Sequence, residues 1–315
     1  MLSEINQLEN LIPSHKYPDW GIGKLVTELR ELRLQALESR HRLNYPPKLP
    51  SRKTLSEIID NLAAVMFPNR LGLPDLTDEC IDYFVGHTLD SLLKELNKQI
   101  RLELQFVAEQ QGGSNDSEAR AAHITRQFAA EIPTVRALID SDIQAAYEGD
   151  PAALSIDEVL VCYPGIVAII HHRIAHILYK LETRLVARII AEIAHSTTGI
   201  DIHPGAQIGS SFFIDHGTGV VIGETAVIGQ RVRLYQAVTL GAKRFAKETN
   251  GLLVKGNARH PIVEDDVVIY SGTTILGRIT IGHSSTIGGN VWLTHDVPAG
   301  SYITQAAGSR RQTDF

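Results

Sequence analysis

Residues 262–293 read IVEDDVVIYSGTTILGRITIGHSSTIGGNVWL, and within them Val263, Ile269, Ile275, Ile281, Ile287 and Leu293 recur every six residues. A helix repeats its apolar residues every three or four positions and a half-buried strand every two, so this period matches neither. It suits a hexapeptide β-helix, in which each hexad supplies one short strand and a corner. Three hexads close a triangular coil of about eighteen residues with the aliphatic side chains stacked inside. Upstream, the same step runs through Ile222, Ile228, Leu234 and Leu240, and before that through Ile202, Ile208 and Ile214.

Two breaks interrupt the repeat. Between Ile214 and Ile222 the step slips by two residues, across Asp215-His216-Gly217-Thr218-Gly219. After Leu240-Gly241-Ala242 a polar excursion over 243–258 carries no hexads, which resume behind Arg259-His260-Pro261. A long loop leaving a repeat scaffold usually lies on its functional face.

The chain divides near residue 196, because what precedes the hexads is helical in pattern. Amphipathic spacing runs over Gly23–Leu43, Thr54–Phe67, Thr77–Gln110 and Ser117–Ala130, with a turn at residues 112–116. Asp142–Tyr147 continues helically to a break at Gly149-Asp150-Pro151, and Pro164–Ala194 reads as one long apolar helix. It carries His171, His172 and His176, with His195 just beyond. His172 and His176 share a face, but no further ligand completes a metal set, so no metal is expected. A helical half of this length serves most simply as an end cap and assembly surface for the coil.

Composition excludes several classes. Acidic and basic residues are interspersed at a net charge of −6, which gives no basic footprint for nucleic acid. Cys80 and Cys162 are far apart and outside any ligand spacing, as expected of buried thiols in a reducing compartment. The N-terminus lacks the pattern of a signal peptide, and the apolar stretch Val159–Ile170 is too short to span a bilayer. A cytoplasmic protein is expected.

The polar breaks suggest a division of labour. His216, between a carboxylate and a Gly-rich bend, is placed as a general base. Asp201 lies fifteen residues earlier, close to one coil, so stacking is expected to bring its carboxylate to the far imidazole nitrogen. Arg259 and His260, where the excursion closes, are suited to clamp an anionic group.

These motifs carry a resemblance. From about residue 140 to 305 the sequence resembles the serine acetyltransferases, members of the hexapeptide-repeat acyltransferase superfamily. It does so through Asp142-Ile143-Gln144-Ala145, Gly149-Asp150-Pro151, Asp201-Ile202-His203-Pro204, Asp215-His216-Gly217-Thr218-Gly219, Ile222–Ile228, Thr239-Leu240-Gly241 and Arg259-His260-Pro261, in that order. The resemblance implies an α+β chain: an all-α region over 1–196, a left-handed parallel β-helix over 197–305, and a tail over 306–315.

It further implies acetyl transfer from acetyl-CoA to L-serine, the opening step of cysteine biosynthesis, without a metal or an acyl-enzyme. His216 would deprotonate the serine hydroxyl, with Asp201 orienting it. Asp150 and Asp215 would face the serine ammonium, and Arg259 and His260 its carboxylate. Acetyl-CoA would run between neighbouring copies along Gly241, Ala242, Ser271 and Gly289. A trimer, or a dimer of trimers, and feedback inhibition by L-cysteine are implied as well.

Three departures stand out. The excursion is longer than the family's short Gly-rich loop, and Ala306–Arg311 lacks the Gly-x-Pro-Ala-Arg pattern usual after the last coil. In relatives a longer tail ending in Ile enters O-acetylserine sulfhydrylase. The tail here ends at Phe315, so that complex is not expected. Two alternatives stay open at this point. One is a hexapeptide acyltransferase acting on another hydroxyl or amine, such as a sugar, an antibiotic or homoserine. The other is a γ-type carbonic anhydrase with zinc on His203, His216 and His260.

Overall fold

The computed structural model describes residues 20–39, 48–111, 116–243 and 256–305. The end of the first expected helix (40–43), most of the turn expected at 112–116, the bulk of the excursion (244–255) and the tail from 306 lie outside the described residues. The chain forms two compact units, Met1–Lys48 and Leu49–Phe315. In the first, α1 (Ile22–Ser39) has no buried residue.

The second unit begins with seven helices among the described residues. These are α2 (Arg52–Met66), α3 (Pro68–Leu71), α4 (Asp78–Gln111), α5 (Ser117–Gly149), α6 (Ile156–Cys162), α7 (Pro164–Lys180) and α8 (Arg184–Thr198). Ser51 starts α2 by accepting the Thr54 amide, and Leu55, Ile58, Ile59 and Leu62 then recur on its buried face.

Two sequence expectations change here. Helix α5 runs through Pro133 as one helix rather than two, because Val135, Ile139 and Ile143 stay buried beyond it. Tertiary packing outweighs the one backbone bond that proline removes. Conversely, the long helix expected over Pro164–Ala194 is two. Glu182 takes a left-handed φ of 64°, and the buried Thr183 hydroxyl turns back to the Leu178 carbonyl at 2.8 Å. The Glu103 carboxylate from α4 then accepts the Leu185 and Val186 amides, capping α8.

The hexads form a parallel β-helix. Among the described residues, fourteen short strands stack into three sheets. One holds β1 (Asp201–Ile202), β4 (Val221–Ile222), β7 (Thr239–Gly241), β10 (Thr274–Leu276) and β13 (Trp292–Leu293). The second holds β2 (Gln207–Ile208), β5 (Val227–Ile228), β8 (Ile262–Val263) and β11 (Thr280–Ile281). The third holds β3 (Phe213–Ile214), β6 (Arg233–Leu234), β9 (Val268–Ile269), β12 (Thr286–Ile287) and β14 (Tyr302–Ile303). Most hexad aliphatics lie in one continuous core, Ile222, Leu240, Ile275 and Leu293 stacked in register.

Val221 pairs with Thr239, eighteen residues on, but Asp201 pairs with Val221, twenty residues on. The two extra residues lie in the corner between β3 and β4. There His216, Gly217 and Gly219 all have φ between 58° and 83°. That run of left-handed backbone is why the corner is glycine-rich.

Helices and coil share their border. Phe213 of β3 lies in the helical core, and Ala168 and Ile169 of α7 lie in the coil's core. Between them Asp142 and Arg173 form a buried two-bond pair, at 2.9 and 3.0 Å. The same carboxylate accepts the Phe212 amide at 2.8 Å, and Arg173 donates to the Ile208 and Gly209 carbonyls. Both charges are therefore spent on backbone of the first coil, which satisfies them in the low-dielectric interior.

Candidate active site

The expected site residues gather at two different corners of the coil. The first corner lies between β3 and β4. His216 projects from it with 71% of its side chain exposed, and its Nε2 is 3.8 Å from Asp215 Oδ1. Asp150, at the C-terminal end of α5, joins them across the helix–coil border. Its Oδ2 accepts the Tyr163 hydroxyl at 2.5 Å and its Oδ1 the Ala152 amide at 2.8 Å. The Tyr163 bond first and the Ala152 amide second hold the Asp150 carboxyl below its usual range, with His216 and Arg233 adding to the effect. In return, the Asp150 carboxylate pushes Tyr163 up to about 12. This corner concentrates negative charge beside an open imidazole.

The second corner lies between the first and second sheets. Glu224 follows β4, and its carboxylate accepts from Tyr179 of α7 at 2.9 Å and from the Arg259 guanidinium at 2.7 Å. Burial opposes ionisation of Glu224, but these two bonds outweigh it and its carboxyl lies below the ordinary range. Thr225 Oγ1 accepts the Arg259 and His260 amides, and His260 Nδ1 accepts from the Thr225 amide at 3.0 Å and its hydroxyl at 2.9 Å. With Nδ1 an acceptor, the ring proton sits on Nε2.

Burial, then the neighbouring Arg259, lowers the His260 pKa to about 4. His260 is therefore a neutral N–H donor at pH 7, and the positive charge expected of the pair comes from Arg259 alone. A Cβ on Gly223 would meet the His260 ring at 2.0 Å, so only glycine lets the ring lie there.

Asp201 does not reach His216 within the chain. Among the described residues the only carboxylate within 4 Å of that imidazole is Asp215. The expectation assumed an eighteen-residue coil. The actual twenty-residue step puts Asp201 beside Val221, five residues past His216 and around the bend. The Asp201 carboxylate lies instead within 4.8 Å of Glu192 and His195 ligand atoms. Glu192 already pairs with Arg188 at 2.6 Å, so this group reads as a surface ion-pair cluster. His176 Nδ1 bonds the Pro204 carbonyl, and His172 is buried and kept neutral by that burial.

The four positions expected along acetyl-CoA divide the same way. Gly241 and Ala242 leave β7 at the second corner. Ser271 and Gly289 lie on the first corner, below Asp215, Tyr235 and Tyr270, whose backbone amides bond successive coils. The Tyr235 and Tyr270 rings stack at 4.9 Å on that edge. Sequence reasoning gave no role to Tyr163, Arg233, Tyr179, Glu224 or Thr225. The last two lie in a quoted motif, Ile222–Ile228, and their spacing beneath the excursion was the available signal.

No family model matches the chain. It is 56% identical over 294 residues to the plasmid serine acetyltransferase of Synechococcus elongatus, covering 91% of each. The chain belongs to the serine acetyltransferase family. A Bacillus subtilis member is 47% identical over 171 residues, 54% of this chain and 75% of that one. Among solved structures, Entamoeba histolytica serine acetyltransferase isoform 3 in complex with cysteine matches at a TM-score of 0.67 and 36% identity, over 83% of each chain. Soybean serine acetyltransferase complexed with serine matches at 0.52 and 28%, over 80% of this chain and 97% of that one. The coil is thus the left-handed parallel β-helix of this acyltransferase family, preceded by its helical region.

Proposed function

We infer that the chain is a serine O-acetyltransferase, moving the acetyl group of acetyl-CoA to the L-serine hydroxyl and giving O-acetyl-L-serine and CoA. This opens cysteine biosynthesis, and we place it in the cytosol. The observation that carries the reading is the charge layout in a chain of this family. One corner offers Asp150 and Asp215 beside an open His216, and the other offers Arg259 with a neutral N–H from His260. That pattern matches a zwitterion with a hydroxyl to be deprotonated.

His216 takes the hydroxyl proton as the serine oxygen attacks the thioester carbonyl. The tetrahedral oxyanion collapses, the C–S bond breaks, and the imidazolium returns its proton to the leaving thiolate. The base supplies about 10² to 10⁴ in rate, and holding both substrates in line supplies much of the remainder.

The two corners are separate edges of one prism, which leads to assembly as a trimer. The first corner of one copy faces the second corner of its neighbour, so Asp201, Arg259 and His260 complete a site around the neighbour's His216. Acetyl-CoA then lies in the same seam, between Ser271 and Gly289 of one copy and Gly241 and Ala242 of the next. The helical region over 1–196 serves as end cap and assembly surface, and 197–305 as the catalytic coil. L-Cysteine shares the ammonium and carboxylate of serine, so it competes for the same charges.

Thiol release from acetyl-CoA, measured with L-serine against other hydroxyl and amine acceptors, tests the activity. Release with a different acceptor only would discard serine. Mixing His216→Ala chains with Arg259→Ala chains tests the seam, since shared sites recover activity in the mixture and self-contained sites do not.

A further inference from the structure

Helix α1, residues Ile22–Ser39, has no buried residue despite a regular apolar seam. Ile22, Leu25, Leu29 and Leu32 are 61, 51, 53 and 59% exposed, and Ala36 continues their spacing. Their alternating steps of three and four residues are the a and d positions of a heptad, starting with Ile22 at a. An apolar stripe of this kind needs a covering surface.

We infer that α1 packs in parallel against the same helix of another copy of this chain. The flanking charges choose this occupant. In the same register Glu28 falls at g and Arg33 at the following e, five residues later. In a parallel pair a g residue meets the partner's next e residue, so Glu28 faces Arg33 of the other copy. An antiparallel pair sets g against g and e against e, which loses that attraction. Val26, 45% exposed at the other e position, widens the seam at its N-terminal end. Two and a half heptads make a weak association alone. This inference rests on the trimer proposed above, which raises the effective concentration enough to populate the pairing.

The test uses the full-length chain with Cys80→Ser and Cys162→Ser, because both native thiols are exposed rather than buried as the sequence suggests. Leu29→Cys, in the seam, is expected to oxidise to a covalent dimer on a non-reducing gel. Thr27→Cys, on the outer face, is expected to stay monomeric while remaining reactive to a maleimide. Adding Glu28→Arg or Arg33→Glu to Leu29→Cys should lower the cross-linked yield roughly fivefold, and the double reversal should restore it. Equal cross-linking at both cysteines, none at Leu29→Cys, or indifference to the charge reversals would each overturn the pairing. The readout does not depend on acetyl transfer, and activity that persists without cross-linking would sink the pairing while leaving the proposed function standing.

Discussion

The two corners that hold the candidate site are built in opposite ways. At the second, Glu224, Thr225, Arg259 and His260 hold one another through hydrogen bonds of 2.7 to 3.2 Å, and the His260 ring is buried. At the first, His216 stands open with its nearest carboxylate at 3.8 Å. A clamp for a carboxylate gains from donors fixed before the ligand arrives, because binding then orders fewer side chains. A base that must take and return a proton needs contact with both substrates, and an exposed imidazole leaves room for that contact.

The largest break in that contrast is His216→Ala, expected to lower kcat by about 10² to 10⁴ with the fold intact by circular dichroism. Near-normal turnover in a folded variant would remove the base from this corner. Next is Arg259→Ala, which removes the charge from the clamp. kcat/KM for L-serine should fall about 10- to 100-fold, chiefly through KM, while KM for acetyl-CoA changes little. An equal rise in both would show that Arg259 supports the whole seam rather than the serine carboxylate.

Thr225→Val keeps the shape of the second corner and deletes the hydroxyl that accepts the Arg259 and His260 amides. About a tenfold loss in kcat/KM is expected from those two orphaned donors, while the Thr225 amide keeps the His260 ring in its Nε2–H form by nitrogen NMR. In the parent protein the same spectra should show His260 neutral at pH 6, given its pKa of about 4. Because this pKa lies below the unfolded value, the unfolded chain takes the proton first, and stability from this group falls as pH drops from about 6.5 towards 4. The smallest effect is Tyr163→Phe. It leaves Asp150 charged at pH 7 and costs a few-fold in serine KM, but it removes the main reason the carboxyl lies low. The acid limb of kcat/KM should therefore move to higher pH, and an unmoved limb would separate Asp150 from serine binding.

Much of this was legible in the chain. The hexads name the inward column residue by residue, because a side chain every six positions has only one way to stay inside a three-sided coil. The polar breaks mark both corners for the same reason. Legibility failed where distance along the chain stood in for distance in space. Asp201 and His216 are fifteen residues apart, and an assumed eighteen-residue coil stacked them. The two residues added at the Gly217–Gly219 bend moved Asp201 under Val221 instead. Pro133 and Glu182 misled for another reason: local backbone preference is a weak term, and burial of Val135 and Ile139 overrode it in one place while Thr183 enforced a turn in the other.

The sequence by itself determined the coil, its core, the corners that carry polar chemistry and the family, since all of these rest on periodicity and residue type. Only the tertiary structure decided which polar residues share a corner. It drew Asp150 to His216 across the helix–coil border, tied Arg259 through Glu224 to Tyr179 in a helix 45 residues before that glutamate, and kept His260 neutral. Those outcomes depend on electrostatics and hydrogen bonds acting over a few ångströms between residues far apart in the chain, which spacing alone does not encode.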